Sequence, residues 1–269
     1  MKPIKVIISL VILVFSSFSV FAESKVFDKL EDFTSNIKLT AQNKVFSAIG
    51  TGRVYSKEVF YIEPDATYNL KITAKKKQGS PDFLCHIGFV LYDEGMVELQ
   101  PVFYRAEYNT ECKLQESVKA KSNVIVVNKP KYFPKDILKR YWYVAFDIKA
   151  NRQDLPNRNV LAIKKVEELS DNKVKITLQG NVIKDYPANS PVRFHSPGPL
   201  MYSLINGQRL DYNWKNYSVN VKGISKHQGL KTFWKDAAFM KIVIVNSART
   251  LDRNLLMEYK DLVLTTTKK

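Results

Sequence analysis

Apolar and polar residues alternate over short stretches along most of the chain. The cleanest case is Tyr68-Asn69-Leu70-Lys71-Ile72-Thr73-Ala74, closed by Lys75-Lys76-Lys77-Gln78-Gly79. A period of two is the spacing of a strand with one buried face, because successive side chains point to opposite sides of a sheet. Similar runs occupy residues 59–62, 83–92, 96–104, 124–127, 141–148, 160–166, 174–178, 192–195, 217–221, 240–245 and 262–266. Turn residues separate them, as in Glu63-Pro64-Asp65 and Asp93-Glu94-Gly95. Short strands with turns at this spacing predict an all-β sandwich. Helical patterning is confined to residues 24–33, with a turn at 134–139.

The alternation is absent from the first 22 residues. Lys2 and Lys5 precede the apolar run Val6 to Phe15, and Val20-Phe21-Ala22 leads into Glu23. A basic start, an apolar centre and a small residue at the boundary predict a signal peptide cleaved after Ala22. The apolar run is short for a membrane-spanning helix, which needs about 20 residues. The expectation is a secreted or periplasmic protein; an uncleaved N-terminal anchor is the alternative.

Composition narrows the class. Two cysteines among 269 residues exclude a disulfide-built miniprotein, and 45% hydrophobic residues supply a substantial core. Ten glycines argue against glycine-rich phosphate loops. Proline and lysine are densest in residues 117–199, which hold Pro130, Pro134, Pro156, Pro187, Pro191, Pro197 and Pro199. The flanks carry one kind of strand pattern. The expected layout is therefore a sandwich from residues 23–116 and 200–269 with an inserted β-subdomain at 117–199, tandem domains being the alternative.

The net charge is +16, and without residues 1–22 the balance is 40 basic against 26 acidic residues, or +14. Lysine dominates, in runs such as Lys75-Lys76-Lys77 and Lys164-Lys165. Lysine is a solvated point charge suited to diffuse attraction and to blunting strand edges. Base or phosphate readout would favour arginine forks and a nucleic-acid motif, and neither occurs. No nucleic-acid partner is expected; anionic glycans or an envelope surface fit better.

Catalytic signatures are missing. There is no G-x-S-x-G elbow, no H-E-x-x-H, no C-x-x-C and no E-x-D-x-x-E strand, and His86, His195 and His227 lie far apart. Adjacent acids such as Glu167-Glu168 point to opposite faces of a strand. Cys85 and Cys112 are read as a disulfide, whose closure would stabilise by about 3 kcal/mol, or else as two buried thiols. Sugar binding needs flat aromatic faces and hydroxyl-bonding groups together. Tyr202, Asn206, Arg209, Tyr212 and Trp214 supply both, flanking an Asn206-Gly207 turn signal, with Asp211 and Tyr217 nearby. Trp234 is a further candidate, within Phe233-Trp234-Lys235-Asp236, and Tyr141-Trp142-Tyr143 forms a third aromatic group. Core packing is the competing reading for each tryptophan.

Residues 60–74 (FYIEPDATYNLKITA) resemble the opening segment of carbohydrate-binding jelly rolls of the galactose-binding-like type. Residues 83–95, 240–246 and 259–264 resemble that family's next hairpin and its two closing strands, and 123–127 with 174–192 resembles a small β-module inserted in some members. The resemblance implies a jelly-roll sandwich and a structural calcium at Asp261; no other cofactor is expected. Lys260 stands where a second acid is usual. It also implies a core position for Trp214. The resulting expectation is an exported, non-catalytic protein that binds carbohydrate, namely envelope or matrix glycans, acidic ones among the candidates. The alternatives are an adhesion module with a protein partner and a polysaccharide lyase.

Overall fold

A computed structural model describes residues 21–78, 84–134, 137, 142–169, 172–196, 198, 204–225, 231–247 and 255–268. Eight strands come first: β1 (Phe21–Phe27), β2 (Phe33–Ser35), β3 (Lys38–Gln42), β4 (Val45–Ile49), β5 (Gly52–Ser56), β6 (Phe60–Tyr61), β7 (Thr67–Gln78) and β8 (Leu84–Tyr92). Then follow β9 (Cys112–Lys113), β10 (Val124–Asn128), β11 (Tyr143–Ala145), β12 (Val160–Glu168), β13 (Lys173–Leu178) and β14 (Pro191–His195). The last described are β15 (Ile205–Gln208), β16 (Lys215–Lys222), β17 (Ile224–Ser225), β18 (Phe233–Trp234), β19 (Phe239–Ser247) and β20 (Leu256–Lys268). The chain is all-β, as its patterning implies.

Two sheets form the sandwich. The first runs β16-β7-β20-β4-β3, with β1 beside the second half of β20; the second runs β15-β8-β19-β5-β2, with β6 also on β19. Their inner faces share one core, in which Tyr68, Leu70, Ile72, Met257 and Tyr259 meet Ile87, Phe89, Ile242 and Ile244. Aromatic packing ties it together: the rings of Phe46 and Tyr259 stack at 5.2 Å. Cys112 to His195 supply all strands of the third sheet, ordered β10-β13-β12-β11-β14-β9. That sheet has its own core around Ile125, Val144, Ile176 and Phe194. The loop between β11 and β12 joins the third sheet to the sandwich: Asn157 N donates to Phe103 O (2.8 Å), and Lys235 Nζ donates to Leu155 O (3.3 Å).

Several local expectations are corrected. Residues 24–33 are not helical: β1 pairs with β20, placing Phe27 opposite Leu262 and in the core, and only Leu30–Asp32 forms a 3₁₀ turn. Long-range pairing and burial override the weak local helical pattern. Asp93-Glu94-Gly95 does turn the chain, with Asp93 Oδ1 accepting from the backbone N–H of Gly95 (3.0 Å) and Val97 (2.9 Å). The expected strand at 96–104 does not follow. Glu98 makes one bridge to Tyr92, and Pro101, which has no N–H to give a ladder, opens a 3₁₀ turn at Pro101–Phe103. Asn206-Gly207 is not a hairpin turn but part of β15, at a register shift on β8 where Gly207 takes φ +64°. A Cβ there would come within 3.1 Å of the His86 ring, so glycine meets both requirements.

The disulfide is also corrected. Cys85 and Cys112 are free thiols, one in the sandwich core and the other in the core of the third sheet. The Cys85 thiol lies 3.5 Å from Met257 Sδ. Burial pushes the Cys112 thiol up to about 12 and raises that of Cys85 further, so neither carries a reactive thiolate.

Candidate functional site

The outer face of the first sheet gathers polar side chains in rows. Residues directly opposite one another on paired strands share a face, so register alone builds the surface. Ser24, Thr265, Asn69 and Asn220 form one row across β1, β20, β7 and β16. Val263, Lys71 and Ser218 form the next, and Lys260, Thr73 and Asn216 another. Glu258 and Lys75 follow, and Trp214, two residues before Asn216, continues the outward side of β16 beside them. The inner positions of β7 and β16 pack against the core through Tyr68, Leu70, Ile72, Tyr217, Val219 and Val221.

The rows are wired together. Asn69 Nδ2 donates to Asn220 Oδ1 (2.6 Å) and Ser218 Oγ (3.2 Å), and Thr73 Oγ1 donates to Asn216 Oδ1 (2.7 Å). Between the rows the β7–β20 register shifts from Lys260 to Val263, and Asp261 takes φ +52°. This bulge re-aims the chain and opens a shallow depression of about 410 Å³ lined by Lys71, Thr73, Asn216, Ser218, Asp261 and Val263.

Trp214 closes one end of this surface. It remains 37% exposed, and the ammonium groups of Lys75 and Lys260 lie 4.6 and 5.0 Å from its ring centroid. Cations over an indole face are attracted by about 0.5–1 kcal/mol at exposed sites. The Lys75-Lys76-Lys77 run divides by parity. Lys75 and Lys77 reach the Glu258 carboxylate at 3.1 and 2.9 Å, whereas Lys76 turns the other way and sets its ammonium 4.4 Å from the Tyr212 ring. Burial alone would raise the pKa of Glu258, but hydrogen bonds from Lys77 and Lys75 and their charges outweigh it, holding the carboxyl below its usual range.

The sequence candidates fall in different places. Trp214 lies at the aromatic end of this face, Tyr212 is held by Lys76 on the other side of the strand, and Arg209 is exposed in the connection from β15 to β16. Trp214 is thus not the core residue implied by the resemblance. Asn206 belongs to β15, on the second sheet. Trp234 is corrected: at 1% exposure it packs against Tyr104, ring centroids 5.0 Å apart, within the sandwich core. Trp142 is buried in the third sheet's core. Tyr202 and Tyr141 lie outside the described residues. Among the described residues no three His, Cys, Asp or Glu side chains converge on a metal-sized site, and Asp261 sits beside Lys71. Asp261 is the one carboxylate lining that depression. The residues not singled out from sequence are Asn69, Lys71, Thr73, Asn216 and Ser218. Their signal is the polar half of the alternation whose apolar half predicts the strands.

This is a β-sandwich with a solvent-facing polar sheet surface, open at one aromatic end. No protein-family profile matches the chain, and no curated protein matches it. Among solved structures, it is similar to a lectin from Bauhinia forficata in complex with GalNAc (10% identity, 93% of this chain and 99% of the lectin covered, TM-score 0.33). It is also similar to peanut lectin with a nine-residue peptide (10%, 92% and 98%, 0.32) and to metal-free lectin I-B4 from Griffonia simplicifolia (11%, 93% and 100%, 0.31). Alignments this loose transfer neither a site nor a ligand.

Proposed function

We propose that this chain is an exported, non-catalytic carbohydrate-binding protein whose ligand lies across the outer face of the first sheet, one sugar ring against Trp214. The observation that carries the reading is the exposed tryptophan at the end of rows of amide, hydroxyl and ammonium groups on one continuous face. A pyranose has an apolar face and a rim of hydroxyls, and needs both kinds of partner at once. Asn216, Thr73, Ser218 and Asp261 offer donors and acceptors to the rim. Lys71, Lys75 and Lys260 extend the preference to acidic glycans of an envelope or matrix.

Two features support binding without catalysis. Glu258, paired with Lys75 and Lys77, is held ionised by two ammonium groups, which disfavours it as a proton donor near neutrality. Asp261 stands in its depression without a second carboxylate. Export rests on the basic start and apolar run of residues 1–22. In this reading the strands of the third sheet are an insert carried by the sandwich.

The test is calorimetric titration of neutral and uronate-bearing oligosaccharides at low and high salt. Wild-type protein is expected to bind, more tightly for the acidic series at low salt. Trp214→Ala should weaken binding about 10-fold, the equivalent of losing one aromatic stacking contact of roughly 1.4 kcal/mol. Silence across both series overturns the proposal.

A further inference from the structure

A second basic feature lies on the third sheet and is built differently. Residues 149–155 leave the end of β11 as a tight loop containing the 3₁₀ turn Ala150–Arg152. Asn151 and Arg152 both take left-handed backbone conformations, φ 52° and 58°. Two successive non-glycine residues there cost conformational energy that the surrounding structure must hold in place. Asp154 does so, accepting from Lys149 N (3.0 Å) and from Arg193 Nη2 (2.7 Å).

The strained turn aims Arg152 at the edge of an open pocket of about 720 Å³, which Lys149, Asn109, Glu111, Tyr108 and Arg193 also line. The Arg152 guanidinium sits 3.7 Å from the centroid of the Tyr108 ring, which is itself 72% exposed. Arg152 Nη2 is shielded from water and has no hydrogen-bond partner. A cationic donor left without an acceptor is costly, and such groups mark places where the structure is set up for a partner it does not yet hold. Glu111 is the one acid in the lining, and the charge of Arg193 is already met by Asp154. The remaining excess comes from Arg152 and Lys149, on a loop fixed by Asp154.

The geometry points to an oxyanion-binding site at Arg152, Lys149 and Tyr108, taking the uronate carboxylate or sulfate ester of an acidic saccharide. A guanidinium forks onto two oxygens of such a group, and the exposed Tyr108 ring flanks the attached sugar. The choice of an acidic saccharide rests on the carbohydrate-binding reading above; the site is separate from Trp214.

The test uses the full chain, with uronate-bearing, sulfated and neutral oligosaccharides of one length, and inorganic sulfate, titrated by calorimetry. Arg152→Ala should weaken the favoured acidic series about 10-fold, the scale of one lost charge-assisted hydrogen bond, and leave neutral saccharides unchanged. Arg152→Lys should restore part of the loss, and thermal melts of both variants show whether the loop still folds. Uronate and sulfate arms tell which oxyanion is taken. Trp214→Ala should weaken neutral and acidic saccharides alike and keep the acidic preference. If Arg152→Ala and Lys149→Ala bind acidic saccharides as wild type does while Trp214→Ala fails, this site is overturned and the first stands. If sulfate alone binds and no acidic saccharide gains over its neutral counterpart, the saccharide assignment is overturned.

Discussion

The basic groups of this protein are held in two contrasting ways. Under the third sheet, Arg193, Asp154 and His195 form a closed network with Arg193 1% exposed and Asp154 5%. Arg193 Nε and Nη2 reach His195 Nε2 at 3.3 and 3.1 Å, and His195 Nδ1 is 2.5 Å from Val102 O. Because a guanidinium only donates, Nε2 must accept, so His195 is neutral with its proton on Nδ1, given to the Val102 carbonyl. On the first sheet, Lys75, Lys77 and Lys260 stand over Glu258 and Trp214 at the solvent boundary. The difference teaches that a charge whose partner is buried with it holds the chain together, whereas one that meets solvent or lacks a partner stays available to a ligand.

Breaking the buried network should have the largest effect. Asp154→Ala leaves Arg193 as an uncompensated buried charge and should cost about 3–5 kcal/mol in denaturant unfolding. A cost below about 1 kcal/mol would erase the contrast with the exposed cluster.

The next effect is pH-dependent. Burial, assisted by the Arg193 charge, outweighs the Val102 hydrogen bond and pulls His195 down from 6.5 to about 4. In the window between those values the unfolded chain binds a proton that the folded chain refuses, so stability falls as pH falls from 6.5 to 4. The loss should approach about 3 kcal/mol. Asp154 acts lower: although burial alone raises it, Asn157, the Lys149 N–H and Arg193 hold it down, and its contribution is lost only as pH falls through its depressed folded value. A His195→Gln variant should flatten the melting-temperature profile between pH 6.5 and 4, and an unchanged slope would assign that slope elsewhere.

Glu258→Gln on the exposed side should cost about 1 kcal/mol, since Lys75 and Lys77 can turn to water once released. A cost equal to that of Asp154→Ala would mean the two regions do not differ. The smallest effect is expected from a thiol reagent: without reductant, neither Cys85 nor Cys112 should react in the folded protein, and both should react in denaturant. Two thiols missing from the denatured count would restore the disulfide.

Much of this was legible from periodicity. Residues 68–74 predict β7 because Tyr68, Leu70, Ile72 and Ala74 face the core, and the same alternation exposes Asn69, Lys71 and Thr73. What sequence cannot convey is which strands lie side by side. Asn216 and Thr73 are 143 residues apart and meet through β16–β7 register, so the rows of the outer face have no local signature. Trp214 and Trp234 each precede a lysine, yet one stands outside the first sheet and the other fills the core beside Tyr104. Cys85 and Cys112 look like a hairpin pair until the chain leaves β8 for the third sheet, which puts them in separate cores.

The central claim is that the exposed cluster binds sugar while the buried network does not take part. Calorimetric titration of uronate-bearing oligosaccharide into wild type, Trp214→Ala and His195→Gln tests it most directly. The account predicts about 10-fold weaker binding for Trp214→Ala, unchanged affinity for His195→Gln at neutral pH, and weakening with added salt. Equal affinity for wild type and Trp214→Ala, or salt-independent binding, would contradict it.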